Sequence, residues 1–208
     1  MASASPISIY KISFTSGGLY LRDSIKVAEL YFQVQDWSAL KEQVIEKNLL
    51  QARTKSSLVR TARELLQRLQ SLTEAQLRLL VDGTRQEQNQ LLWLAVCKHY
   101  EFVRDFATEV IREKYLRLDW EVTYPDFDMF FFDKSEWHAE LAGITESTHK
   151  KLRQVLFRML VEAEILSPEN KVIPAVLSPQ VARVISEDDP TYFSAFPISE
   201  TDIRGLMP

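Results

Sequence analysis

Seven consecutive apolar residues, Leu91 to Cys97 in the run LLWLAVC, lie inside a longer stretch that reads as helix from about Thr84 to Leu116. A surface helix keeps a polar face, and this one has none through Leu91–Val96. It has to be enclosed by protein on every side, so the chain must supply other helices to wrap it. The expected result is a helical N-terminal domain built around this segment, with a break near Lys98–Tyr100.

The wrapping helices follow from apolar spacing. Leu21, Ile25, Ala28 and Phe32 share one helical face. Asp36 or Ser38 caps a second helix over SALKEQVIEKNLL. In TKSSLVRTARELLQRLQSL, Ser56 or Ser57 is the expected cap, and Leu58, Ala62, Leu65, Leu66 and Leu69 form the apolar stripe. TEAQLRLLVDG starts on Thr73 and stops at Gly83. With only 5 glycines among 208 residues and many Leu, Glu, Gln, Arg and Ala, the composition favours helix. Ahead of these helices, the spacing of Ile7, Ile9, Ile12 and Phe14 suggests a short extended arm.

Near residue 120 the texture changes to the aromatic run RLDWEVTYPDFDMFFFDK. This places a domain boundary there, dividing the chain into 1–120 and 121–208. The second unit reads as a short helix over Pro125–Phe132, a helix over Lys134–Leu141, a turn at Gly143 and a long helix over Glu146–Ile165. The turn SPEN, the β-like run KVIPAVL and SPQVARVISE follow. Helix, helix, glycine turn, helix and strand pair is the order of a winged helix-turn-helix with a small β wing. The fold class expected is mainly α. The C-terminal tail, with Phe193 and Phe196, reads as a docked arm or a loosely ordered end.

The long helix of this second unit opens with a contradiction. His149, Lys150, Lys151 and Arg153 stand in its first turns, where the positive end of the helix dipole disfavours cations by about 0.3–1 kcal/mol each. Leu152, Val155, Leu156, Met159, Leu160 and Ala163 fall on one face, which leaves Ser147, Lys151, Gln154 and Arg158 on the opposite stripe with Lys150 at its border. Phosphate or base edges in a DNA groove would supply the missing negative charge. Gln and Arg are side chains that read adenine and guanine edges. A second basic cluster, Arg53, Lys55, Arg60, Arg63 and Arg68, meets only Glu64. Arg53 and Lys55 precede Ser56 and Ser57 at a helix start, a suitable cradle for phosphate. The candidate DNA contacts are therefore Arg53, Lys55, Arg60, Arg63, Ser147, His149, Lys150, Lys151, Gln154 and Arg158. The net charge is -4, so any basic surface arises from segregation of charge. Two ordinary solvated faces are the alternative reading.

The segments FTSGGLYLRDSIKVAELY, NLLQARTKSSLVRTARELLQRL, LWLAVCKHYEFVRDFATEVIREKY and FFDKSEWHAELAGITESTHKKLRQVLFRMLVEAEIL together resemble the BrxA family. Its members are small proteins encoded in bacteriophage exclusion (BREX) defence systems. The resemblance covers roughly residues 10–190 and rests on the ordered set rather than on any one motif. It implies a helical cytoplasmic protein with a positively charged groove for DNA, working beside a methyltransferase and other defence proteins. It supplies no catalytic residues.

Other chemistries find little footing. His99, His138 and His149 have no metal-ligand spacing, and the single Cys97 permits no internal disulfide or zinc cluster. No phosphate-binding GxxxxGK[ST] loop occurs, and GITES does not match a nucleophile elbow. Asp126 after Pro125, with Glu169 and Lys171, superficially echoes a metal nuclease, but in a helix start and a turn rather than in strands. No apolar segment approaches a membrane span, and MASASPISIYKISF lacks a signal-peptide core. The expectation is a non-enzymatic, cytoplasmic, double-stranded DNA-binding component of a BREX system, with no cofactor and no metal. The rival expectations are a protein-interaction scaffold whose nucleic-acid affinity is incidental, and RNA binding.

Overall fold

The computed structural model describes residues 9–15 and 17–206. The fold is mainly helical. The helices α1 (Leu21–Val34), α2 (Trp37–Glu46), α3 (Lys55–Leu69) and α4 (Glu74–Asp82) lead into α5 (Arg85–His99). After α5 come α6 (Glu101–Phe106), a π-helical turn (Ala107–Arg112) and α7 (Glu113–Leu116). Then follow α8 (Tyr124–Ser135), α9 (Ala139–Ala142), α10 (Glu146–Glu162) and α11 (Pro179–Ser186). A 3₁₀ turn (Pro190–Ala195) and α12 (Glu200–Leu206) complete the described chain.

The apolar run occupies the position its sequence demands. Leu91 to Cys97 are all buried, with α1, α3, α4, α10 and α11 packed around α5. The chain turns at Tyr100, whose extended backbone separates α5 from α6 in the expected interval. Capping boxes start α4 at Thr73–Gln76, α5 at Thr84–Glu87 and α8 at Thr123–Asp126, each pairing a threonine with the third helical residue. Asp36 caps α2 as expected. One core runs from Phe14 and Leu40 through Trp93 and Phe102 to Phe127, Leu156 and Phe193, so it spans both sides of residue 120.

Several boundaries differ from the sequence reading. α3 starts two or three residues earlier than Ser56 or Ser57 would place it, because Thr54 is the cap and accepts from the Ser57 N–H at 3.2 Å. α8 runs through Lys134, and the helix expected over Lys134–Leu141 shrinks to the single turn of α9. In place of a strand pair, the described residues hold two isolated antiparallel bridges, Glu121 with Lys171 and Leu166 with Val172. Pro174 supplies no ladder donor, which limits strand growth. SPQVARVISE is helical: Ser178 caps it, Pro179 opens it, and Val181, Ala182, Val184 and Ile185 bury one face.

The described segments nearest the two ends reach the core. Ile7 lies outside the described residues, but Tyr10 and Phe14 are buried. The Tyr10 N–H donates to Glu140 at 2.6 Å, its hydroxyl donates to Asp105 at 2.6 Å, and its ring stacks on His138. The tail is a docked arm: Phe193 and Phe196 are buried, and the Trp93 indole N–H donates to the Ala195 carbonyl at 2.8 Å. Among the described residues, no helix is long and apolar enough to cross a membrane.

Candidate nucleic-acid interface

The basic side chains at the start of α10 divide into two kinds. Arg153 turns toward α8 and places one guanidinium nitrogen 2.7 and 2.5 Å from the two Asp128 oxygens, with its charge over the Tyr124 ring. His149 turns the same way, 3.4 Å from Asp128 and against the rings of Phe127 and Phe131. Asp128 and Phe131 are three residues apart on α8 and so share the face that seats α10. The sequence reading of His149 as an outward DNA contact is thus met by a half-buried ring in a helix seam. Its carboxylate partner sits 21 positions back in the chain, beyond any local pattern.

The other kind faces solvent. Ser147, Lys150, Lys151, Gln154 and Arg158 are all exposed along one stripe, while Leu152, Val155, Leu156, Met159, Leu160 and Ala163 are buried on the other. Lys150 pairs with Glu146 at 2.5 Å and Lys151 donates to Gln154 at 3.0 Å, both at the surface. Tyr124, Ser147, Lys150, Lys151, Arg153 and Gln154 line a depression of about 350 Å³. Farther along α10 the helix meets the N-terminal segment: Glu162 accepts from the Leu19 N–H at 2.6 Å, and Arg158 reaches the Gly17 carbonyl at 3.5 Å. Phe157, whose position near the outward stripe calls for a packing partner, is buried edge-on against Tyr124.

Arg53 just before α3, and Lys55, Arg60 and Arg63 on it, are exposed, and among the described residues none of them has a hydrogen-bond or ion-pair partner through its side chain. Ser57 is less available than expected, because its hydroxyl donates to the Thr54 carbonyl at 2.9 Å. Arg68 does not join the outer cluster. It is buried, donates to Glu64 at 2.6 and 3.0 Å and to the Gly18 carbonyl at 2.7 Å, and the Tyr100 hydroxyl also donates to Glu64. The four-residue spacing of Glu64 and Arg68 was the signal for this pair. Gly18 and Leu19 thereby tie α3 to α10 within two residues.

The residues of the nuclease-like pattern are engaged locally. Asp126 accepts from the Thr123 N–H and hydroxyl at 2.6 and 2.8 Å and lies 3.4 Å from Lys114. Glu169 accepts from Ser167 in a turn at 2.8 Å. Among the described residues, no group of three or more His, Cys, Asp or Glu side chains is placed to hold a metal ion.

Comparison with known proteins places this geometry in context. The BrxA family model matches residues 8–189. The BREX protein BrxA of Escherichia coli O9:H4 (strain HS) is 30% identical over 173 residues, 81% of this chain and 80% of that protein. The BREX protein BrxA of Bacillus cereus (strain H3081.97) is 28% identical over 158 residues, 76% of this chain and 79% of that protein. The crystal structure of an uncharacterized protein from Magnetospirillum magneticum superposes with a TM-score of 0.77 at 22% identity, covering 90% of this chain and 97% of that one, a likeness of fold.

Proposed function

The chain belongs to the BrxA family of BREX phage-defence proteins, and from that premise we propose that it is a non-enzymatic, cytoplasmic component that binds double-stranded DNA. The observation that carries this reading is the exposed stripe Ser147, Lys151, Gln154 and Arg158 with Lys150, bordering a depression on α10. These side chains offer only donors or amide and hydroxyl groups, the chemistry that phosphates and base edges accept. α8, the Gly143 turn and α10 are read as a helix-turn-helix. The two bridges support a minimal wing, since segments 120–122, 165–167 and 171–173 come in the order a winged helix requires and the last pairs with both others. Arg53, just before α3, with Lys55, Arg60 and Arg63 on it, forms a second phosphate-facing surface.

The test is a gel-shift titration of the purified chain with duplex DNA, single-stranded DNA and RNA over a range of salt. Log affinity for duplex should fall linearly with log salt, by roughly 0.9 per phosphate contacted. A flat salt response or a preference for RNA would overturn the reading. Incubation with and without Mg²⁺ should leave the DNA intact and unmodified.

One observation favours a scaffold reading as the alternative, with other BREX proteins as partners. Met129, Phe132 and Trp137 are 62%, 65% and 71% exposed, large apolar side chains that a partner protein would cover. Such a partner should still bind when every duplex contact on α10 is removed.

A further inference from the structure

The N-terminal end of α1 lies open, and the reason is visible in its cap. Tyr20, at the cap position, has a left-handed backbone with φ 55°, and no side chain caps the helix. Among the described residues, the N–H groups of Leu21, Arg22 and Asp23 have no acceptor. They sit at the positive end of a 14-residue helix, which favours an anion. A cavity of about 430 Å³ opens at this end, walled by Arg22 and the Asp23 carboxylate of α1, by Arg85 and Asn89 of α5 and by Glu162 of α10. That is within the range of small-molecule sites. Arg22 and Arg85 are both exposed, and among the described residues neither has an ion-pair or side-chain hydrogen-bond partner.

A second observation is independent of the helix end. Asn89 is only 3% exposed, and its amide nitrogen donates to Glu164 at 2.9 Å. Its carbonyl oxygen has no donor. A buried acceptor left unmatched is costly and rare, so it marks a place where a donor is expected. Asn89 lines the cavity, so its unmatched oxygen stands beside a space from which a donor can arrive. Glu162 adds a carboxylate to the same wall, pinned there by the Leu19 N–H and by the absence of a side chain on Gly18, where a Cβ would collide with it.

We infer that this cavity binds a phosphate ester that also carries hydroxyl or amino donors, such as a nucleoside monophosphate. The phosphate sits on the free N–H groups of α1 between Arg22 and Arg85. The donors of the sugar or base face Asn89 and Glu162. A plain inorganic anion satisfies only the first half of the site, and an uncharged nucleoside only the second. This inference stands whether or not α10 meets DNA. The same chemistry can come from a free nucleotide or from a nucleotide of a DNA strand, and the test separates the two.

The experiment is calorimetric titration of the full chain with AMP, ribose 5-phosphate, adenosine and inorganic phosphate, in parallel with duplex DNA binding. AMP should bind one per chain, at least tenfold tighter than adenosine or inorganic phosphate. The exposed double change Arg22→Gln with Arg85→Gln should weaken AMP tenfold or more without moving the melting temperature. Asn89→Ala should weaken AMP more than inorganic phosphate. Should Asn89→Ala fail to fold, the arginine variant alone decides. If AMP is silent at millimolar concentration but the arginine variant weakens duplex binding, the phosphate seat is supported with a DNA strand as its source. If the arginine variant changes neither AMP nor DNA binding, the site is refuted. Weakened DNA binding by Lys150 and Lys151 variants would then leave the α10 reading intact.

Discussion

α3 and α10 start alike, each on a threonine cap with cations in the opening turns, yet the fold treats their charges differently. On α10, Asp128 takes Arg153 and His149 into the seam with α8, and Glu146 holds Lys150. At α3, Arg53 ahead of the cap and Lys55, Arg60 and Arg63 on the helix stand without ion-pair partners among the described residues, while Arg68 alone turns inward to Glu64. A basic cluster in a sequence therefore mixes two populations. Cations with a carboxylate across a helix seam hold the structure, and those without one are free for an external anion.

The largest expected effect breaks the inner pair of α3. Glu64→Ala leaves the Arg68 guanidinium buried with its carboxylate gone, and the Tyr100 hydroxyl without its acceptor. Side-chain exposures of 4% for Arg68 and 11% for Glu64 put this among buried pairs, so unfolding in urea should show a loss of about 3–5 kcal/mol. Next comes the seam of α10. Asp128→Ala should cost about 1–2 kcal/mol, less than the α3 pair because the Asp128 side chain is 41% exposed. Freed of that carboxylate, Arg153 should also raise duplex affinity. A stability loss equal to that of Glu64→Ala would erase the distinction between the two pairs.

Smaller effects sharpen the contrast between the outer faces. Arg60→Gln with Arg63→Gln should leave stability within about 0.5 kcal/mol, as for surface changes without partners, and weaken duplex binding. Lys150→Ala with Lys151→Ala should weaken duplex binding too, while the free protein gains up to about 1 kcal/mol by relief at the helix dipole. Opposite signs for stability and affinity identify a charge kept for a ligand. Unchanged affinity in this variant would remove α10 from the interface, and a large stability loss would mean that the lysines serve an internal contact.

The smallest effect is a pH dependence beside the inner α3 pair. Burial, with Lys11 and Arg68 reinforcing it against Glu64, holds the His99 imidazole below its ordinary value of 6.5. The unfolded chain therefore takes up this proton first as pH falls. The contribution of His99 to stability is present above pH 6.5 and is lost as pH drops toward its folded value. His99→Gln should flatten that part of the stability curve in a series of melts between pH 7 and 5. An unchanged slope would assign the acid sensitivity elsewhere.

The local grammar of this chain was readable from one dimension. Thr73, Gly83 and Asp36 end and start helices where their side chains and backbones satisfy orphan polar groups within three or four residues. The run Leu91–Cys97 could only be central, because no arrangement leaves seven apolar residues of a helix in water without a large loss. The same logic separated the buried and exposed faces of α10 correctly.

What the sequence left open were matters of partners distant in the chain. In the sequence His149 reads as an outward contact and Arg68 as one member of a basic cluster; Asp128 beside the first, and Glu64 with the Gly18 carbonyl beside the second, place both inside the structure. The β-like run after Asn170 dwindled to single bridges once Pro174 left no donor for a ladder, and Ser178 and Pro179 turned the next segment into α11. The tail declared itself only through the Trp93 indole and the buried rings of Phe193 and Phe196. Helix faces and caps depend on interactions within about one turn, so sequence determines them. Whether a given charge is neutralised by the protein or left for something outside depends on long-range packing, and only the tertiary structure decides it.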